Sequence, residues 1–383
     1  MKYFPLIWAA LARRRLRTLL TFLSIVVAFL LFGMLHGVSG GFDAVVNAMS
    51  DSRLRVLNRV SPTRWLPLAQ RDEIRRVPGV TGVVPYAYFG GFYQDPRNQI
   101  AAGGMDIGEL LTVFPEIELP AAQRAAMLRT RTGILVGDEL AQRYHWKIGD
   151  RIPIGTPIWQ QRDGSRNWAF DIVGLYHFRN DALPSDEVWM NFDYLNEARP
   201  GMENQASMYI VGIRNPSSAA RIAAAIDAHF ANSSAPTLTQ NEKDWVRARL
   251  RRIGNIKLMV NAIVGAVLFT LLALTANTMM QSMRERIAEL AVLRTFGYSH
   301  GTIAALVVTE ALLLCLSAAI VGLLLAALAF PTLFHAMGVG AVPIPTAVLL
   351  LGLAIAVGLA LVSSLAPIWR ALRLDVAAAL AAR

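Results

Sequence analysis

Five residues near the N-terminus, GVSGG at 37–41, match the G-x-S-x-G pattern of serine hydrolases. In those enzymes a sharp strand-to-helix turn exposes the serine beside an oxyanion hole. The corresponding residue here, Ser39, lies at the end of an uncharged run, 18–38, which suits a membrane helix rather than a strand. We therefore expect the glycines to loosen a helix exit. A membrane-anchored hydrolase that uses Ser39 is the less favoured alternative.

Other catalytic patterns are missing from the sequence. It contains no G-x-x-x-x-G-K-[ST] loop and no H-E-x-x-H motif, and its six histidines are scattered. We therefore expect no catalytic residue, no metal and no cofactor in this chain. Glu310 is the acidic residue nearest to an uncharged run, and the residues after it, 311–334, already suffice to cross a membrane. We interpret Glu310 as interfacial, with a proton relay as the alternative.

Long uncharged runs predict four membrane-spanning helices. Of the 383 residues, 54% are hydrophobic and only 17% are charged, which is unusually apolar for a soluble protein of this size. A bilayer core about 30 Å thick needs roughly 20 apolar residues of helix. The runs that meet this length are 18–38, 258–280, 311–334 and 343–369.

A polar region of more than 200 residues, 39–257, separates the first two runs and has the composition of a globular domain. Alternating and amphipathic segments predict an α+β domain. We expect two lobes, one formed by 39–100 and 201–241 near the membrane and the other inserted between them. The predicted division is therefore a leader with the first helix at 1–38, the α+β domain at 39–255, and a C-terminal domain at 256–383.

One helix of this domain can be predicted in detail, at residues 217–230. Ser217 or Ser218 is expected to cap its N-terminus. Its predicted buried face consists of Ile222, Ala225, Ile226 and Phe230.

Arginines flank the uncharged runs on one side of the membrane. They are Arg13, Arg14, Arg15, Arg17, Arg284, Arg286, Arg294, Arg370 and Arg373. By the positive-inside rule, both termini and the segment 282–302 are cytoplasmic and the large domain is outside. Anionic lipid headgroups account for the net charge of +10, so we expect no nucleic-acid partner. The only cysteine, Cys315, is interpreted as an apolar filler of the third run.

The charged segment between the second and third runs, SMRERIAELAVLRTFGYSHGT, predicts a short amphipathic helix in the cytoplasm. Gly297 is a C-terminal stop for this helix, and Arg294 favours its negative end. A merely interfacial turn is the alternative. The mixture of charges suits a protein contact at least as well.

The same segment, RERIAELAVLRTFGYSHGTI, resembles the one that follows the second span in ABC transporter permeases of the MacB, FtsX and lipoprotein-release type. The ending PIWRALRLDVAAAL and the stretches ILVGDELAQRYHWKIGDRIPI and DEVWMNFDYLNEA also resemble this family. The resemblance extends over the whole chain.

This resemblance implies a non-catalytic permease subunit of the bacterial inner membrane with a periplasmic core domain. It implies a permease dimer, with a second copy or a paralogue, and a separate ABC ATPase that holds ATP and Mg²⁺. A periplasmic adaptor protein is a further implied partner. The implied mechanism is mechanotransmission, in which ATP-driven movement of the periplasmic domain exports or extracts an amphipathic substrate. The alternative is a regulatory complex that controls a cell-envelope hydrolase or senses envelope stress.

The resemblance also implies which residues form the coupling helix. They are Arg284, Glu285, Arg286, Ile287, Glu289, Leu290, Leu293, Arg294 and Gly297.

Overall fold

The computed structural model describes residues 15–180, 182–253, 256–285, 295, 298–336 and 342–372. The longer helices are α1 (Arg15–Ala48), α2 (Gln70–Arg75), α3 (Ile107–Val113), α4 (Ala121–Arg129), α5 (Asp138–Tyr144), α6 (Phe192–Ala198), α7 (Ala219–His229), α8 (Glu242–Ile253), α9 (Ile256–Glu285), α10 (His300–Ala336) and α11 (Thr346–Leu372). The strands are β1 (Arg53–Asn58), β2 (Leu66–Pro67), β3 (Val80–Tyr88), β4 (Gly91–Phe92), β5 (Gln99–Met105), β6 (Ile117–Glu118), β7 (Gly133–Gly137), β8 (Arg151–Gly155), β9 (Asn167–Phe178), β10 (Glu187–Asn191), β11 (Gln205–Ala206), β12 (Met208–Ile213) and β13 (Thr237–Asn241). They form two compact units, a membrane unit drawn from both ends of the chain and an α+β unit, Ala44–Gly254.

Four helices of the membrane unit are long and apolar enough to cross a bilayer, which confirms the four predicted spans. They are Arg15–Ala48, Lys257–Glu285, His300–Phe334 and Thr346–Arg370. Helix α1 continues about ten residues beyond its uncharged run, because no proline interrupts the sequence between the run and Ala48.

Small residues let α1 and α10 approach closely within the membrane unit. A Cβ atom added to Gly33 would lie 2.6 Å from the Cβ of Ala326, and one added to Gly37 would lie 2.9 Å from the ring of Phe330. Cys315 is fully buried in the apolar core of this unit, in agreement with its predicted role as a filler. Association of helices in lipid depends on such close packing, since lipid is as apolar as the helices themselves.

Six strands of the α+β unit close into a ring. The order is β10-β7-β9-β8-β4-β5, and β5 also pairs with β10 in parallel, with Glu187 opposite Ala101 and Asn191 opposite Met105. Closure satisfies strand edges that would otherwise be open for pairing with other chains. Aromatic residues fill the ring, and Trp168 and Phe170 are both fully buried.

A second part of the sheet leaves the ring at β3 and continues in the order β3-β12-β1-β13. Gly90, with φ of +57°, allows the chain to turn between β3 and β4 and so to pass from this part into the ring. The strands of the lobe predicted at 39–100 and 201–241 largely form the part β3-β12-β1-β13, and those of the inserted lobe form the ring. The exception is β4, which was predicted in the first lobe but belongs to the ring. Both parts lie in one compact unit because β3 pairs with β5 as well as with β12.

The helix predicted at 217–230 is α7, with Ser218 at the N-cap position as predicted, and one residue of its predicted buried face is wrong. Ser218 occupies the N-cap position without a capping hydrogen bond, and it is Asn215 whose side chain accepts from the Ser217 N–H in the preceding 3₁₀ turn. Ala225 is exposed, whereas Ala223 packs on the core. At about 100° per residue, the face of Ile222, Ile226 and Phe230 leans toward Ala223 and away from Ala225.

Candidate functional site

Ser39 lies inside the continuous helix α1, so the strand-to-helix elbow of a serine hydrolase is not formed there. The glycines around it serve packing. A Cβ atom on Gly40 would lie 2.9 Å from Pro345, and one on Gly41 would lie 2.7 Å from the ring of Phe334. The GVSGG motif is therefore a contact surface of α1.

Two of the predicted coupling residues, Arg284 and Glu285, form the C-terminal end of α9. Glu285 pairs with Arg17 near the start of α1, with 3.1 Å between Nη1 and Oε1. The remaining predicted coupling residues lie outside the described residues, and these are Arg286, Ile287, Glu289, Leu290, Leu293, Arg294 and Gly297. The coupling helix therefore stays a prediction.

A buried ion cluster joins β1 to the start of α8 in the α+β unit. Glu242 accepts hydrogen bonds from Nε of Arg53 and from Nη2 of Arg55, both at 2.6 Å. Arg53 also pairs with Glu116. The side chains of Arg53 and Glu242 are only 2% and 1% exposed. Two cations and two anions therefore neutralise each other, and the central pair, Arg53 and Glu242, is removed from water.

The charged state of Glu242 depends on its arginine partners. Burial alone would raise the pKa of this carboxyl, but Arg55 and Arg53 hold it below its ordinary value. The two guanidinium groups also stack on aromatic rings. Arg53 lies 4.3 Å from the centroid of Phe114, and Arg55 lies 4.6 Å from that of Trp245 in α8.

The cluster connects two segments that lead to membrane helices. Strand β1 follows α1 after four residues, and α8 precedes α9. A further ion pair, with 2.7 Å between Lys243 Nζ and Asp51 Oδ2, joins the same two segments. Within the membrane unit, Lys257 of α9 pairs with Asp43 of α1 at 2.8 Å. Ion pairs thus connect the segment around the end of α1 with the segment around the start of α9, one set within the α+β unit and one pair within the membrane unit.

The sequence analysis did not identify this cluster. The alternation in β1 does place Arg53 and Arg55 on one face of the strand, which is a signal for buried or paired arginines. Glu242, however, lies 189 residues after Arg53, so its role as the shared partner could not be recognised from spacing.

Two family models match this chain. A model described as the MacB-like periplasmic core domain matches residues 18–229, and one described as the FtsX-like permease C-terminal domain matches residues 261–376. The crystal structure of the periplasmic region of MacB from Actinobacillus actinomycetemcomitans is similar at 10% identity. That match covers 52% of this chain and 92% of the other, with a TM-score of 0.37.

The extracellular domain of the noncanonic ABC-type transporter YknZ from Gram-positive bacteria is also similar, at 12% identity. Here the match covers 49% of this chain and all of the other, with a TM-score of 0.35. Among curated protein sequences, none matches this chain.

One candidate spanning helix before the α+β unit in sequence and three after it, together with the FtsX-like model, indicate a multi-pass inner-membrane protein of the permease class. The periplasmic core model alone covers more than half of the chain, and the FtsX-like model accounts for most of the remainder. The chain belongs to the MacB/FtsX-type family of ABC transporter permeases.

Proposed function

We propose that this permease subunit couples ATP hydrolysis by a separate ABC ATPase to movement of its α+β unit, and so exports or extracts an amphipathic substrate. In this proposal the segment 284–297 is the coupling helix, both termini are cytoplasmic, and the α+β unit is periplasmic. The predicted domain division, 1–38, 39–255 and 256–383, belongs to the same proposal. The chain itself binds no nucleotide, and ATP and Mg²⁺ are held by the partner.

The observation that supports coupling is the continuity of α9. This helix runs without interruption for 30 residues, from just after α8 to the first charged residues of the predicted coupling segment. At 1.5 Å per residue it is about 45 Å long, enough to cross the bilayer with turns to spare. A stiff helix of this length can transmit a displacement from a cytoplasmic motor to the segment that holds Glu242.

A dimer of permeases is part of the proposal and is supported by the composition of α9. Asn261 and Asn277 are exposed in the single chain, and so are Gly265 and Ala273, each four residues from one of them. A Cβ atom added to Gly265 would meet nothing within 4 Å. Exposed amides and small residues in a membrane helix favour association with another helix. We therefore place the contact with the second permease along α9.

Charge reversal of two glutamates and disruption of one leucine in the coupling segment test the proposal. We expect Glu285→Arg, Glu289→Arg and Leu290→Asp to reduce ATP hydrolysis stimulated by the permease, and co-purification of the ATPase, in proteoliposomes. Glu197→Arg, on the exposed surface of the α+β unit, is the matched control and should leave both unchanged.

Glu285 needs a second control because it also pairs with Arg17. The double variant Arg17→Glu/Glu285→Arg restores that pair with reversed polarity. If Glu285 contacts the ATPase, the double variant stays uncoupled. Normal assembly and turnover in Glu285→Arg, Glu289→Arg and Leu290→Asp alike would refute the assignment of the coupling helix.

A further inference from the structure

A cavity of about 320 Å³ lies inside the α+β unit. Its lining comes from β1, β3, β5, β9, β10, β12 and α8, together with Met49, Phe114, Leu183, Pro184 and Asp186. This volume lies within the usual range for small-molecule sites, about 300 to 1,000 Å³. The cavity is separate from the predicted coupling segment, and the coupling proposal assigns no role to it.

One wall of the cavity is aromatic. Tyr176 stacks on Trp189 with ring centroids 3.8 Å apart and planes 11° apart, and Phe178 meets Trp189 edge-on at 6.2 Å. Tyr86 and Tyr88 also line the cavity. The faces of such rings carry partial negative charge, so they attract cations as well as apolar groups.

The charged groups of the lining leave an excess of negative charge. Arg53 and Arg55 are neutralised by Glu116 and Glu242, as described above. Asp186 and Glu187 also line the cavity, and neither has an ion-pair partner within 4 Å in the part of the chain that the structure describes. Among the described residues, these two carboxyl groups of the lining therefore have no ion-pair partner in direct contact, although Arg143 lies close enough to act on Asp186.

The surroundings of these two carboxyl groups explain why a bound cation would be favoured. Tyr86 donates its hydroxyl hydrogen to Glu187 Oε1 at 2.6 Å. Burial raises the pKa of Asp186 to about 6, and Glu139 and Glu187 add to this effect, whereas Arg143 opposes it. A positive group placed between Asp186 and Glu187 would relieve their mutual repulsion.

Two hydrogen-bond donors on lining residues lack acceptors. These are the indole Nε1 of Trp189, a residue only 3% exposed, and Nε of Arg55; neither atom has a partner within the described residues. Buried donors are normally satisfied, and leaving one unpaired is unfavourable. An oxygen atom of a bound molecule would supply the missing acceptor.

We propose that this cavity is a binding site for a small organic cation with an apolar body and one hydrogen-bond-accepting oxygen. The positive group lies at Asp186 and Glu187, the body lies against the Tyr176–Trp189 stack, and the oxygen lies toward Arg55 and Trp189. Met49, directly after α1, and Trp245, in α8, also line the cavity. The ligand therefore contacts both segments that lead to membrane helices. The site goes beyond the proposed function, since coupling to an ATPase does not require it.

Binding to the cavity can be measured without ATP or an ATPase. The binding-site proposal can therefore be refuted while the coupling proposal stands, and the coupling proposal can be refuted while the binding site stands. The full chain is placed in nanodiscs of a zwitterionic lipid and titrated with L-phenylalaninol, with tryptophan fluorescence as the readout. Trp189 and Trp245 in the lining report directly on occupancy. Empty nanodiscs correct for partition into lipid.

Two compounds of similar size test the chemistry. The anion 3-phenylpropanoate should bind at least about tenfold more weakly than L-phenylalaninol, because it would face two carboxyl groups. Phenethylamine lacks the hydroxyl oxygen and should bind more weakly as well. Saturable binding of the anion with equal affinity, or no saturable binding of L-phenylalaninol, overturns the proposal. Equal affinity for phenethylamine overturns the role of the oxygen.

Single variants locate the cation. Asp186→Asn and Glu187→Gln should each reduce the affinity for L-phenylalaninol about tenfold, since each removes one charge without changing the shape of the side chain. Glu197→Gln, an exposed residue outside the cavity lining, is the matched control and should change nothing. Unchanged affinity in both cavity variants, with normal tryptophan emission in the absence of ligand, overturns the proposal.

Discussion

Removing the charge of Glu242 should destabilise the α+β unit strongly. Glu242→Gln keeps the shape of the side chain but leaves Arg53 and Arg55 without their shared anion, and its amide NH₂ would face their donors. Because both Arg53 and Glu242 are almost completely buried, the loss should be about 3 to 5 kcal/mol. That is a large fraction of the roughly 5 to 15 kcal/mol that stabilises a typical domain.

Urea denaturation of the full chain in nanodiscs, followed by tryptophan fluorescence, measures this loss. Six of the eight tryptophans lie in 44–254, so the signal reports mainly on the α+β unit. Glu197→Gln is the matched control: Glu197 is 59% exposed and pairs with Arg131, so its loss should be below about 1 kcal/mol.

The pH dependence of the same variant provides an independent check. The pKa of Glu242 is lowered in the folded chain, so its stabilisation is present above the ordinary glutamate pKa of about 4.3 and is lost as pH falls through the folded value. The difference between Glu242→Gln and the unmodified chain should therefore shrink below about pH 4. If Glu242→Gln at neutral pH loses no more free energy of unfolding than Glu197→Gln does, the argument that Arg53 and Arg55 depend on Glu242 is refuted.

Two further predictions concern other parts of the chain. Asp186→Asn should raise the free energy of unfolding at pH 8 and leave it nearly unchanged at pH 4. The pKa of Asp186 is about 6 in the folded chain and ordinarily 3.8, so the native state loses stability as pH rises between these values. The expected gain in the free energy of unfolding is about 3 kcal/mol at most, measured by urea denaturation at both pH values. An equal effect at pH 4 and pH 8 would show that the pH dependence does not come from Asp186. The titratable and charged groups near Asp186 are Glu139, Glu187, Arg143 and Tyr176. Gly37→Val should lower the temperature of aggregation in detergent, because a Cβ atom there would lie 2.9 Å from the Phe330 ring and overpacking costs about 1 to 3 kcal/mol. Gly358→Val, where an added Cβ would meet nothing within 4 Å, is the control, and equal effects of the two substitutions would contradict the packing role of the glycine motif.

The membrane helices could be predicted from the sequence because one requirement dominates them. A backbone in lipid must satisfy its own hydrogen bonds, so a long uncharged run has few structures available other than a helix. Strands were also predictable where polar and apolar residues alternated, as in β1, or where a short apolar run stood between polar segments, as in β12. The 3₁₀ turn before α7, whose N-cap is Asn215, was not predicted, because it is too short to show a periodicity of its own.

The boundary between the two parts of the α+β unit was harder to predict than the strands themselves. Separate lobes require few hydrogen bonds between them, but β3 pairs with β12 along one edge and with β5 along the other. Strand pairing between Tyr86 and Met105 is local in sequence, yet nothing in the composition of either segment specifies the partner. The parallel pairing of β10 with β5, which closes the ring, joins residues more than 80 positions apart.

The cavity and the ion cluster lay beyond sequence reasoning for the same physical reason. Each residue has an ordinary explanation in its own segment: Arg55 belongs to an alternating strand, Trp189 to an apolar strand, and Glu242 to the first turn of a helix. Their chemistry arises only when β1, β10 and α8 are brought together. Charged and polar groups that would interact weakly in water then interact by several kcal/mol, because they are buried. The segments after α1 and before α9 contribute to both the ion cluster and the cavity wall, so an occupant of the cavity would contact residues that also hold the cluster.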